Sequence, residues 1–475
     1  MTTAGLNVTY RDLQCAADHL ALRLAGSGLA KDDVAALRIP NSAEFAAALF
    51  AVSRCGAAAV LIDPVLKPEE AKEYARRAGA RMILESGVGA PAAVEGAEIP
   101  TFAIPEIASL NCLEEKAGPV VVLGGEDTAV MLLSSGTSGD AKIVPKTASQ
   151  ARAALEVFER TVPYREDDRI LAALPFNHSF GFFNVFLAGI AAGATLVVEK
   201  YSPRQTANAI AEEKVSILPA TPFMFRMMAL TEFDTAPDFS AVRVAVSAGA
   251  ALPPAVLDKF HAKFGVPIWQ SYGTTESGPA ALNRTPADAD MPKGCVGTPY
   301  AKVTIRIQDE DGVPLSDGTE GEVAIRSGAC TSGYLGELEE KSTCFRDGWV
   351  LTGDVGRLDP ESGALVICGR RKRMINVAGK KVSPDEVEAC LLTHPGVKDA
   401  LVTGDPADTG EERVLAYVVT AGETEVVDIR NHCARHLADF KVPRVIELVY
   451  ELKRGPMGKV PHRMRPQSLP SGRTI

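Results

Sequence analysis

At 475 residues the chain exceeds what one hydrophobic core usually serves, so a large lobe with a smaller appendage is expected. A hydrophobic share of 46% beside 23% charged residues excludes a disordered chain. The formal net charge of -10 argues against electrostatic capture of nucleic acid, which needs a basic face to release counterions.

From Tyr10 onward, short apolar runs alternate with helical patterns. Leu13, Ala17, Leu20 and Leu24 recur at three-to-four spacing and predict a helix over 10–24, followed by a strand at 34–39, a helix at 43–55 and a strand at 58–62. This is the rhythm of a parallel α/β layer. It resumes with a strand at 129–133, a Ser/Gly loop and a helix from Thr147 to about Arg160. A second round places strands at 195–198, 215–218, 242–246 and 266–270, with helices near 207–213, from Thr221, and over 253–263. Two successive α/β units are expected.

Residues 170–198 carry no formally charged side chain and are long enough to cross a bilayer. Pro175, Asn177, His178, Ser179, Asn184 and three glycines would leave polar groups unpaired in lipid, so a buried strand, an active-site loop, a helix and another strand are expected instead. After about Met291, short alternating segments with Gly/Asp turns predict a small antiparallel barrel or sheet. Past Gly369 the pattern is that of an α+β module: helix 384–392, strands 397–403 and 414–419, helix 427–437, strand 445–449. The nine cysteines lie singly, with no CxxC pair and no zinc-like spacing, and Met1 to Asn7 show no signal-peptide pattern; a reducing, cytoplasmic setting is expected.

Five polar, glycine-bearing segments interrupt this pattern: Ser134-Ser-Gly-Thr-Ser-Gly-Asp-Ala-Lys142, Tyr272-Gly-Thr-Thr-Glu276, Trp349-Val-Leu-Thr-Gly-Asp354, Gly369-Arg-Arg-Lys372 and Gly455-Pro-Met-Gly-Lys459. In the first, backbone N–H groups and small hydroxyls can wrap a polyphosphate, or form a surface turn; the Walker sequence Gly-Lys-[Ser/Thr] is absent. In the second, at the carboxyl end of a strand, Tyr272 can stack on a purine, Thr275 can donate to the α-phosphate and Glu276 can hold Mg²⁺ through hard oxygen. Asp354, expected in a tight turn, can accept both hydroxyls of a ribose. Lys459, in a glycine-rich loop, can carry an ammonium to an α-phosphate. His178 follows the strand at 170–174 and is either a satisfied core group or a participant. Together these are the equipment for attacking ATP at its α-phosphate, and the chain reads as a carboxylate-activating enzyme.

In this order, from about Thr9 to Arg463, the segments resemble the adenylate-forming superfamily of acyl-CoA synthetases, adenylation domains and luciferases. The resemblance implies two α/β subdomains and a distorted β-barrel in a large domain, 1–371, and a small α+β lid, 372–475. It implies ATP, Mg²⁺ and CoA or a phosphopantetheine thiol as cofactors and co-substrates. It also implies two half-reactions: acyl-adenylate formation with release of pyrophosphate, then displacement of AMP by the thiol. Carried over by position, Ser134, Ser135, Gly136, Thr137, Ser138, Gly139 and Lys142 look like the phosphate loop, with Thr137 beside Glu276 on the magnesium. Tyr272, Gly273 and Thr274 look like one side of the adenine site and Gly249, Ala250 and Ala251 the other. Asp354 and Arg370 match the ribose contacts, Lys372 the hinge, Lys459 the adenylation lysine, His178 the gate between acyl and thiol channels, and Gly379 the thiol tunnel. Two departures stand out. The phosphate loop exits through Ala141-Lys142-Ile143 where the family usually has Pro-Lys-Gly, and Ala378-Gly379 replaces Gly-Gly beside the tunnel.

Relatives that activate amino acids place an acid soon after the histidine segment. Residues 170–198 hold no Asp or Glu, so a neutral acid is favoured. Small residues at 248–251 and 277–281, with Phe182, Phe183, Phe223 and Phe225 near in sequence, suggest an apolar slot for a fatty or aryl acid. The acyl acceptor is expected to be CoA, or a carrier protein acting in trans.

Overall fold

The computed structural model describes residues 1–3, 6–86, 99–107, 121–134, 141–284, 292, 294–336, 343–377, 380–406, 412–422, 424–455 and 457. The first helix, Tyr10–Gly26, begins at a capping box in which Thr9 Oγ1 accepts from Asp12 N at 3.1 Å and Asp12 Oδ2 accepts from Thr9 N at 2.9 Å. Its apolar stripe, with Leu13, Leu20 and Leu24, is buried. With helix Ala43–Arg54 it covers a six-stranded sheet ordered Thr101–Ile104, Ala80–Ser86, Val34–Arg38, Ala58–Leu61, Thr128–Ser134, Lys142–Thr147. All neighbours are parallel except the last pair. That last strand departs from expectation, because the chain returns from the Ser/Gly segment as an antiparallel strand before helix Ala148–Glu159. Pro145 and Lys146 break the apolar alternation that would have announced it.

The second sheet has fourteen strands. Its parallel part runs Thr195–Val198, Arg169–Ala172, Ile217–Ala220, Val244–Ser247, Ile268–Thr274. Strand Ile268–Thr274 is the pivot, parallel to Val244–Ser247 on one side and antiparallel to Gly278–Asn283 on the other. Beyond it follow Cys295–Pro299, Leu365–Arg370, Trp349–Leu358, Gly321–Arg326 and Thr304–Gln308, all antiparallel. The expected barrel is not closed: among the described residues no hydrogen-bonded ladder joins the two ends of this run. The run does curl. Tyr272 and Asp354 lie four strands apart, about 19 Å on a flat sheet at ~4.8 Å per strand, yet their side chains are hydrogen-bonded at 2.7 Å.

Residues 170–198 form strand Arg169–Ala172, a loop, the π-helix Phe180–Leu187 running into helix Ala188–Ala191, and strand Thr195–Val198. Gly181 is required at the start of the π-helix, since a Cβ there would lie 2.1 Å from Pro175 O. Among the described residues no helix is long and apolar enough to cross a membrane.

From Ile375 the chain has a core of its own, with Val382, Val387, Leu391, Val402, Ala416, Ile429 and Ile446 buried together. It comprises a three-stranded sheet, Val397–Pro406, Glu412–Thr420 and Val445–Leu448, and the helices Pro384–Leu391 and Val426–His436. An ion-pair node seats this module on the second α/β unit. The half-turned-in carboxylate of Asp399 meets Arg226 Nη2 at 2.9 Å and Arg454 Nη2 at 2.6 Å, and both guanidinium groups lie over the ring of Phe223.

Candidate active site

The pivot hairpin positions most of the polar groups. Strand Ile268–Thr274 carries Tyr272, and the turn after it carries Thr275 and Glu276 before strand Gly278–Asn283 leads back. The strand thus runs on through Tyr272 to Thr274, past the end expected at residue 270, and turns back as a hairpin. Gly273 is forced by close approach: a Cβ there would sit 2.3 Å from Gly278 O. Ser277 N donates to Thr274 Oγ1 at 3.0 Å, which fixes the turn.

Asp354 sits within strand Trp349–Leu358, not in an isolated turn, and directly faces Arg370 across the ladder. Its buried carboxylate accepts from Tyr272 Oη on Oδ2 at 2.7 Å and from Arg370 Nε on Oδ1 at 2.8 Å. Asp354 N in turn donates to Thr352 Oγ1 at 3.1 Å. Burial first, then the Asp354 carboxylate, pushes the Tyr272 phenol well above its ordinary range, so it remains a donor. Each carboxylate oxygen keeps an acceptor site beyond these two bonds, which is what a ribose diol requires.

Thr275 Oγ1 lies 3.3 Å from Ser179 Oγ, which brings the hairpin turn against the loop that carries His178. Glu276 Oε1 accepts from Tyr334 Oη at 2.9 Å, and the Tyr334 ring is capped by Lys142 Nζ at 4.2 Å. Burial, and next the Glu276 charge, raises the Tyr334 phenol strongly. A half-exposed carboxylate of this kind offers the hard oxygen that Mg²⁺ takes, so the donor chemistry fits that ion. Among the described residues there is no cluster of three or more His, Cys, Asp and Glu able to hold a metal by itself.

Gly249, Ala250 and Ala251 form an exposed loop after the fully buried strand Val244–Ser247. Gly249 has φ +89, and a Cβ on it would meet Met457 Cε at 3.6 Å. Met457, two residues before Lys459 in sequence, packs against the core of the main body here. Lys459, Gly379 and residues 135–139 with Ser135, Gly136, Thr137, Ser138 and Gly139 lie outside the described residues. Ser134 is the buried last residue of its strand, and Lys372 lies in the 3-10 turn Arg371–Arg373.

Two expected slot aromatics point elsewhere. Phe223 carries the interdomain arginines, and Phe225 is buried edge-on against Phe260 at 4.9 Å. Phe182 and Phe183 are buried in the π-helix, where Phe182 joins Phe186. The structure adds three residues that motif reading passed over: Ser179, Tyr334 and Lys146. Tyr334 was visible as an aromatic after a glycine, and Lys146 as the only cation inside the apolar stretch Ile143 to Lys146. Lys146 is fully buried, donates to Glu276 O at 2.7 Å and Ala329 O at 2.6 Å, and is pushed down to about 8 by burial.

Residues 2–335 match the AMP-binding enzyme family, and residues 386–459 match the AMP-binding enzyme C-terminal domain. The chain is 31% identical over 475 residues to the 4-chlorobenzoate–CoA ligase of Arthrobacter sp, covering 97% of this chain and 90% of that one. It is 29% identical over 469 residues to a long-chain-fatty-acid–CoA ligase of Mycobacterium tuberculosis, covering 96% and 92%. Among solved structures, o-succinylbenzoate CoA synthetase of Bacillus subtilis in complex with its acyl-adenylate intermediate superposes with a TM-score of 0.86 at 26% identity, over 98% of this chain and 96% of that one. ATP-bound MatB of Rhodopseudomonas palustris gives 0.86 at 25% identity over 96% and 93%.

Proposed function

The chain belongs to the AMP-binding enzyme family, and from that premise we propose that it is an AMP-forming acid–thiol ligase: it joins a neutral apolar carboxylic acid, fatty or aryl, to CoA through an acyl-adenylate. The observation that carries this reading is the Asp354 carboxylate held between Tyr272 and Arg370, with Thr275 and Glu276 on the adjoining turn of the same hairpin. One cluster thus offers a ribose acceptor, an aromatic face, an α-phosphate donor and a metal-binding acid.

In the first half-reaction a carboxylate oxygen of the acid attacks the α-phosphorus of ATP, and pyrophosphate leaves with the P–O bonding pair. Asp354 fixes the ribose and Tyr272 the purine, so the α-phosphate faces Thr275. The Thr275 hydroxyl, beside Ser179, donates to a non-bridging α-oxygen as charge builds there. Glu276 and Thr137 would hold magnesium, which would supply charge neutralisation at the phosphates. Lys459 supplies the cation between the carboxylate and the α-phosphate. In the second half-reaction the sulfur of CoA attacks the acyl carbon and AMP departs with the mixed-anhydride oxygen, after residues 372–475 rotate about Lys372. His178, on the loop against Thr275, gates the two channels.

For the acid, residues 170–198 place no carboxylate near the site to pair with an ammonium, and the π-helix is lined by buried phenylalanines. The relatives named for a long-chain fatty acid and for 4-chlorobenzoate support the same class. The test is a panel of fatty, aryl and amino acids assayed for pyrophosphate release, with CoA and a phosphopantetheinylated carrier as acceptors. Fatty or aryl acids with CoA should give thioester. Turnover confined to amino acids, or to the carrier, would overturn the assignment.

A further inference from the structure

Lys146 is a buried cation that the mechanism above does not use. It sits in strand Lys142–Thr147 with no solvent exposure, and its ammonium spans two other segments: Glu276 O in the hairpin turn and Ala329 O in the loop before Thr331. Thr331 N reaches the same Glu276 carbonyl at 2.9 Å, while Thr331 Oγ1 returns to Pro145 O at 2.7 Å. The first sheet, the 327–331 loop and the Glu276 turn are thus tied at one point. A few residues away, Leu335 N donates to Ile143 O at 2.9 Å, which places Tyr334 on the Glu276 carboxylate.

Burying an ammonium carries a desolvation cost of several kcal/mol. Packing alone therefore does not ask for lysine here. What lysine supplies is directional: charge-assisted N–H bonds that fix where the Glu276 main chain lies, as Tyr334 fixes its carboxylate. The backbone and the side chain of one acid are held from opposite ends.

We propose that Lys146 is a positioning residue for the metal-binding acid, holding the Glu276 turn in the geometry that takes Mg²⁺ with the nucleotide phosphates. This rests on the assignment of Glu276 to the metal. Tyr334, which bonds the carboxylate itself, is the partner one bond removed from the metal, and loss of such a partner typically changes metal affinity by about 10-fold to 100-fold; Lys146 acts one step further back, through the main chain, and the low end of that range is expected for it.

The test uses the full chain and calorimetric titration with AMP, and with a non-hydrolysable α,β-methylene analogue of ATP in Mg²⁺ or in EDTA. In Lys146→Met the tightening of the analogue by Mg²⁺ should shrink about tenfold, while AMP affinity stays within about twofold and the melting temperature falls modestly, because Ala329 O loses its donor. Lys146→Gln, whose amide can still reach one carbonyl, should fall between the two. A folded Lys146→Met or Lys146→Gln protein with the wild-type Mg²⁺ effect overturns the proposal, as does a fall in melting temperature with no change in that effect. Should Lys146→Met fail to fold, Lys146→Gln decides by the same titration. A wild-type chain that binds neither AMP nor the analogue sinks the nucleotide reading itself, which is a different result from loss of the metal effect alone.

Discussion

Replacing Asp354 by asparagine removes one charge and almost no volume. The amide oxygen can still accept from Arg370 Nε, now at 2.8 Å from Oδ1, and the amide nitrogen can face Tyr272 Oη, now at 2.7 Å from Oδ2, with the phenol turning to accept. The strand pairing of Asp354 with Arg370 is a backbone matter and survives. The ribose is affected more, because the -NH₂ cannot accept from a hydroxyl and the remaining oxygen is neutral. Losing one charge-assisted bond is worth about 2 kcal/mol, roughly a thirtyfold weakening. Calorimetric titration of AMP into Asp354→Asn should show that loss, with urea unfolding close to wild type. A folded variant that binds AMP within twofold of wild type would refute the assignment of Asp354 to the ribose.

Lys459→Ala should abolish acid-dependent pyrophosphate exchange while leaving AMP affinity unchanged, whereas Lys372→Ala should form adenylate normally and slow acyl transfer to CoA with its release of AMP; rapid-quench measurement of the two half-reactions separates them. Asp399→Asn leaves Arg226 and Arg454 without their shared carboxylate, and removing one partner of a buried pair costs about 3 kcal/mol. Urea unfolding should show about that loss; a folded variant with wild-type stability would show that the node does not hold the module on the second α/β unit. Glu388 is raised from 4.5 to about 7, chiefly by burial and then by Asp385, with Arg373 opposing at 3.4 Å. The folded module binds the proton more tightly than the unfolded chain, so stability falls as pH rises from 4.5 to about 7 and stays reduced above. Glu388→Gln should therefore gain up to about 3 kcal/mol at pH 8 and nothing at pH 4.5, read by thermal unfolding; a gain independent of pH would contradict this.

The strongly periodic elements were legible from the sequence. Helix Tyr10–Gly26 announced itself through its apolar stripe, and the alternation through strand Ile268–Thr274 came through as two α/β units. The curl of the second sheet was not, because it depends on contacts such as Tyr272 with Asp354, 82 residues apart, that no local pattern encodes. For the same reason Asp354 read as a turn residue, since Thr-Gly-Asp has turn composition, although Gly353 at φ +72 is accommodated inside a strand. Of the motif residues that the structure describes, Tyr272, Thr275, Glu276, Asp354 and Arg370 meet on one hairpin and the strands beside it, with Lys142 joined through Tyr334. Their supports did not show, because Lys146 and Tyr334 matter through what they touch rather than through any spacing. Phe223 was misplaced for a related reason: neighbours on helix Pro222–Leu230 point to different faces, and its face meets the C-terminal module.

The most direct test of the central claim follows the oxygen. With a fatty or aryl acid carrying ¹⁸O in its carboxylate, turnover with ATP and CoA should deliver one labelled oxygen into AMP, because the bond between that oxygen and the acyl carbon is the one broken when the thiol attacks. Label recovered in orthophosphate, with ADP as the nucleotide product, would contradict attack at the α-phosphate and the account built on it.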